Sequence, residues 1–187
     1  MRKAAFKASA QGSLDGLCGI YAIINACNLM LGGKLDREYQ SSLFCKLTNL
    51  LDDGRPIGDV VHDGIGFRKL GELIDVASRT LALDHGVEIE RRVACKTSRG
   101  ELGDFWIKLL SHINLEKGSI AILGVEGKHS HWTVVQKVSR KSLTLSDSDN
   151  LKRLNKSDCD IMEGEKTHQL QPTQTYLLRR VEAENGE

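Results

Sequence analysis

An α+β fold is predicted, from three observations. Apolar residues recur at helical spacing through the first half of the chain. Short runs rich in β-branched and aromatic residues fill the second half. Helices first and strands later is the order in which a helical lobe packs on one face or edge of an antiparallel sheet. The 187 residues suit one domain spanning 1–187, with flexible ends at 1–10 and 182–187, and 40 % apolar residues supply a core.

Each element has its own signal. From Cys18 onward, Ile20, Ile23, Ile24, Cys27 and Leu31 share a helical face, and Gly32-Gly33 provide a left-handed stop. Asp36 can cap a second helix whose Tyr39, Leu43, Phe44, Leu47 and Leu50 lie on one face. Phe67, Leu70, Leu73, Ile74, Ala77 and Leu81 mark a third, and the stretch "DDGRPIGDVVHDGIG" between these two reads as a loop. Val87, Ile89, Arg91 and Val93 alternate as a short strand, and "ELGDFWIKLLSHINL" is a helix ending before Gly118. The segments "SIAILGV", "HWTVVQKV", "SLTLSDS" and "TYLLRRV" are the strands of the sheet. Leu151 to Lys166 is charged and irregular, a solvated excursion between the last two strands.

Composition excludes several function classes. Lys+Arg 26 against Asp+Glu 25 leave no global field for nucleic acid or anionic lipid, and Lys152, Arg153 and Lys156 lack the interleaved aromatics of a nucleic-acid patch. No run approaches a membrane span, and "MRKAAFKASAQGS" has no apolar signal core, so no membrane partner is expected. The 5 cysteines are scattered without CxxC pairing, which fits free thiols in a reducing cytoplasm, with secretion as an effector also open. His62, Asp59 and Asp63 lack further ligands at metal spacing, so no metal site is assigned and the segment is read as a loop over a cleft.

The stretch "QGSLDGLCGIYAIINACNLM", Gln11 to Met30, places Cys18 between glycines at the start of an apolar helix. The thiolate is the active form of cysteine, and a helix start favours it through unpaired N–H groups and the positive end of the dipole. Gly16 and Gly19 are expected to let a substrate carbonyl approach the sulfur. A nucleophile needs a base that holds its proton, and His131, opening the strand "HWTVV", is the candidate, with His129 as competitor. The hairpin turn near Arg140 should return Asp147 beside His131 to fix its orientation, with Asp149 as rival. The Cys18 N–H and the Gln11 carboxamide can serve a tetrahedral oxyanion, and the N–H groups around Asp15–Gly16 are substitutes for Gln11.

The order Gln11, "DGLCGIYAIINA", "HWTVV" and "LTLSDS" resembles the papain-like cysteine peptidase superfamily, nearest to compact bacterial peptidases of the bacteriocin-leader-processing type. Leu17 and Gly19 beside the cysteine exclude the plant-type signature. The resemblance implies a papain-like fold, Cys18 as nucleophile, His131 as base and acid, Asp147 as orienting acceptor and Gln11 as oxyanion donor. It implies a protein or peptide substrate and no cofactor. Cleavage of a peptide or isopeptide bond is the leading function. A glutamine deamidase or transglutaminase and a silent binding module of the same fold are the alternatives. The stretch before Gln11 is short for an inhibitory segment, so no maturation cleavage is expected.

Overall fold

The computed structural model of the chain describes residues 8–10, 16–51, 56–97, 100–128, 130–161 and 166–182. The architecture is α+β. Among the described residues, five α-helices, α1 (Cys18–Met30), α2 (Arg37–Thr48), α3 (Ile57–Asp63), α4 (Phe67–His85) and α5 (Leu102–His112), accompany seven strands. These are β1 (Val87–Val93), β2 (Ser119–Gly127), β3 (His131–Val138), β4 (Ser142–Ser146), β5 (Arg153–Asn155), β6 (Cys159–Asp160) and β7 (His168–Glu182).

The strands form one sheet in the order β1-β7-β2-β3-β4-β5, antiparallel throughout this path, with β6 parallel to the start of β7. Two hydrophobic cores lie on its two faces, and β2 serves both. Ile120 and Ile122 join the core with α1 and α4, whereas Ala121, Leu123 and Val125 join the one with α5. A strand covered on both faces becomes a continuous apolar run, which explains "SIAILGV".

Helix α1 is the centre of the first core. Every residue in it except Tyr21 is buried, and Tyr21 packs on the Phe44 ring of α2 at 5.3 Å. The helix ends where Gly32 and Gly33 take φ of 68° and 78°, a region that costs glycine nothing. Asp36 caps α2 by accepting from the Tyr39 N–H at 2.8 Å. Leu43 and Leu47 form its buried stripe, while Leu50 lies past the helix end and is exposed. Helix α4 buries Leu70, Leu73, Ile74, Ala77 and Leu81 and ends at Gly86 with φ 64°.

Three expectations need correction. The glycine- and aspartate-rich stretch before α4 is not all loop, because residues 57–63 form α3, anchored by the fully buried Val60. The charged stretch 151–166 is, over its described residues 151–161, not a solvated excursion. Leu154, Cys159 and Ile161 point into the second core and carry β5 and β6, their apolar signal being spread among charged neighbours. The ends are also tied down where described. Ser9 exchanges hydrogen bonds of 2.8 and 3.2 Å with the buried Asn25 of α1, and Glu182 pairs with Val87 in the sheet. Among the described residues, no helix is long and apolar enough to cross a membrane.

Candidate active site

The N-cap of α1 is Leu17, whose side chain makes no capping hydrogen bond. The positive end of the helix dipole lies at this end, where Cys18 sits, which suits an anionic sulfur or oxygen there. Two glycines fit this junction into the fold. A Cβ on Gly16 would lie 2.5 Å from the His62 carbonyl oxygen, and one on Gly19 would lie 2.8 Å from the Ile65 side chain. The glycines thus admit the α3–α4 connection, a role not expected for them, and Gly16 also lines the cleft beside Cys18. The Gly16 N–H donates to the Val61 carbonyl at 2.7 Å and locks the approach to Cys18 against α3.

Strand β3 supplies the facing side. The Trp132 N–H donates to Cys18 Sγ at 3.4 Å, so the sulfur receives a backbone hydrogen bond from a rigid strand. The Trp132 indole N–H donates to the Ile65 carbonyl at 3.0 Å, and its ring stacks on Phe67. One residue therefore ties the cysteine, the sheet and the α3–α4 connection together. Sequence reasoning misses this role of Trp132; its signal in "HWTVV" is a large indole beside a candidate base, needing a buried acceptor for its N–H.

His131 stands between Asp147, to which it hydrogen-bonds, and Cys18, which lies near enough to bear on its charge. Its Nε2 lies 2.8 Å from Asp147 Oδ2, which leaves Nδ1 for the sulfur. The β3–β4 pairing sets Val134 opposite Ser146, with a bulge between Val135 and Lys137. Asp147 follows Ser146 and so comes diagonally within reach of His131, two residues from Thr133 on the same side of an extended strand. The carboxylate is fixed at both oxygens. While Oδ2 faces His131, Oδ1 accepts from the Asp149 and Leu151 N–H groups at 2.8 and 3.0 Å. Asp149 is exposed and contributes its amide rather than its carboxylate.

Burial is the main influence on both charges and opposes each of them. Against it, the hydrogen bond and charge of Asp147, followed by Cys18, raise the His131 ring to about 10. The hydrogen bond and charge of His131 hold the Asp147 carboxyl below its ordinary range despite its burial. An imidazolium at neutral pH is the outcome, between a buried carboxylate and a thiol at a helix start. Cys27 shows the contrast: fully buried in α1, its thiol is pushed up to about 12 by desolvation.

A cleft of about 370 Å³ runs past Cys18 and His131. Residues 62–66 form one wall; Gly124, Glu126, Gln171 and Gln174 belong to the other. This second wall exists because the β2–β7 register shifts between Leu123 and Gly124, leaving residues 172–174 looped out of the ladder. His62, in the segment expected to overhang the cleft, does line it, from α3, and its Nδ1 lies 2.8 Å from Asp63 Oδ1. Among the described residues, no three His, Cys, Asp or Glu side chains gather as metal ligands. Gln11 and His129 lie outside the described residues, as does Asp15.

No protein-family model matches the chain, and no curated protein matches it. The functional reading therefore rests on the geometry of the site.

Proposed function

We propose that this protein is a papain-like cysteine peptidase or isopeptidase that cleaves a peptide or amide bond through a Cys18 thioester. The observation that supports it is the alignment of Cys18, at a helix start, with His131 and the buried Asp147 to which His131 hydrogen-bonds. The Cys18 thiolate adds to the substrate carbonyl, and the Cys18 N–H faces the oxyanion of the tetrahedral intermediate. His131 gives its proton to the leaving amine as the C–N bond breaks. It then takes a proton from the water that attacks the thioester, and as the C–S bond breaks the carboxylic acid departs and the thiolate–imidazolium pair is restored. Asp147 stays ionised throughout and holds the ring in register.

The test is the rate of iodoacetamide alkylation at each thiol against pH, in the native protein and in His131→Ala, read by peptide mass spectrometry. Cys45 is the reference because it is the exposed thiol. The expected result is a Cys18 rate about tenfold or more above Cys45 at pH 6, nearly flat up to pH 8, since thiolate fraction governs reactivity. In His131→Ala the rate should instead climb with pH. A Cys18 that reacts no faster than Cys45 in either protein would overturn the proposal and leave a binding module of the same architecture.

A further inference from the structure

A second cavity, of about 500 Å³, opens on the α5 face of the sheet and shares no lining residue with the Cys18 cleft. The register explains its chemistry. Glu90 of β1 pairs with Arg179 of β7, which in turn neighbours Ser119 of β2, and Arg92 lies two residues along β1 on the same face. His112 at the end of α5 and Lys117 in the following turn complete the ring of polar groups.

The cations here outnumber the acids. Glu90 is the one acid among the described lining residues, and it is engaged by Arg179 at 2.6 Å in an exposed pair. Arg91 also borders the cavity, but its guanidinium is held by Asp75 through two hydrogen bonds of 2.6 Å. Arg92 and Lys117 have no ion pair among the described residues. The whole chain carries a formal charge of only +1, so this concentration is local.

His112 adds a second, independent observation. Its Nε2 lies 3.2 Å from the Ile120 carbonyl oxygen and 3.0 Å from that of Leu178, so Nε2 must carry the proton and donate. The ring is thereby anchored to two central strands with Nδ1 unused by them. Burial and, among nearby charges, Arg92 and Arg179 hold the ring below its ordinary value, and all three residues line the same cavity.

We propose that this cavity is a binding site for a phosphoryl group, gripped by Arg92, Lys117 and Arg179, with His112 beside them. Two planar guanidiniums and an ammonium offer more donors than a carboxylate can accept, and a phosphate group has the oxygens to use them, while the unprotonated Nδ1 of His112 can accept from a P–OH or an ester hydroxyl. The volume exceeds that of a lone phosphate, which leaves room for the organic part of a small phosphate ester.

Isothermal titration of the full chain at fixed ionic strength, with inorganic phosphate, pyrophosphate and adenosine monophosphate as probes, tests this. Saturable binding of at least one probe is expected. Arg92→Gln and Lys117→Gln should each weaken it about tenfold, the worth of one charge-assisted hydrogen bond. Lys34→Gln, an exposed lysine elsewhere, should leave it unchanged. Tighter binding of the nucleotide than of phosphate identifies an organic ester as the ligand, and equal binding identifies the phosphoryl group alone; both support the site. Absence of saturable binding, an equal loss in Lys34→Gln, or capture of a glutamate-rich peptide with no phosphate binding would overturn it. None of these outcomes bears on the alkylation of Cys18.

Discussion

The two faces of the sheet are covered by helices of opposite character. Helix α1, on one face, is buried on nearly every side, whereas α5, on the other, buries Phe105, Trp106 and Leu109 and leaves Ile107 and Leu110 exposed. A helix surrounded by protein cannot shift without disturbing α2, α4 and the sheet together, so the residue at its start is held in place. A helix lying on the surface tolerates change and borders a groove open to solvent. The nucleophile candidate sits on the first kind of element, and the cationic cavity beside the second.

Core truncation should break this comparison most visibly. Ile24→Ala in α1 is expected to cost about 2–5 kcal/mol in urea denaturation, while Ile107→Ala in α5 should stay within about 0.5 kcal/mol, because only the first leaves a cavity. Similar costs at both sites would mean that α5 is covered as deeply as α1.

The next largest effect is expected at Gly16, where an added Cβ would meet backbone atoms of His62 and Gly64 that cannot swing aside. Gly16→Ala should cost about 1–3 kcal/mol and slow Cys18 alkylation, since the α3–α4 connection must move. A neutral Gly16→Ala protein with native alkylation would show that this junction is looser than described.

A smaller, pH-dependent effect is expected from Asp147→Asn. The His131 ring is raised from 6.5 to about 10, so its contribution to stability is complete below pH 6.5 and disappears as pH rises toward 10. The Asp147 carboxyl is lowered, so its contribution is present above its ordinary 3.8 and is lost as acid protonates it in the folded state. The stability gap between the native protein and Asp147→Asn should therefore be widest between about pH 4 and 6.5 and close toward pH 10. A gap that does not vary with pH in chemical denaturation would show that the pair is not coupled as its geometry implies.

The smallest effect is a gain. A Cβ on Gly103, in the first turn of α5, meets nothing within 4 Å, so Gly103→Ala should stabilise the protein by about 0.5 kcal/mol through reduced chain entropy. Destabilisation would mean that the α5 face packs against something further.

Much of the fold was legible because it is written in local signals. Helices α1, α2, α4 and α5 lie where apolar spacing, the Asp36 cap and the closing glycines put them. The same residues failed to reveal α3, a helix of 7 residues too short for a periodic signal. They also failed for β5 and β6, where single buried residues alternate with charges and only partner strands make them a ladder. In the site, chain order and the β3–β4 hairpin were enough to nominate Cys18, His131 and Asp147. The hairpin did not foresee the bulge that makes the reach to Asp147 diagonal, nor the choice of its carboxylate over that of Asp149, which depends on where Oδ1 finds two amides.

The sequence by itself determined the α+β class, the apolar helix headed by Cys18, and the strand that opens with His131. Those follow from periodicity and turn chemistry, which act within a few residues. Only the tertiary structure decided that Gly16 and Gly19 serve the α3–α4 connection, that Trp132 joins the sulfur to that connection, and that Arg92, Lys117, Arg179 and His112 meet around one cavity. Each of these depends on contacts between residues tens of positions apart. Such contacts are set by sheet register and close packing, which no local pattern encodes.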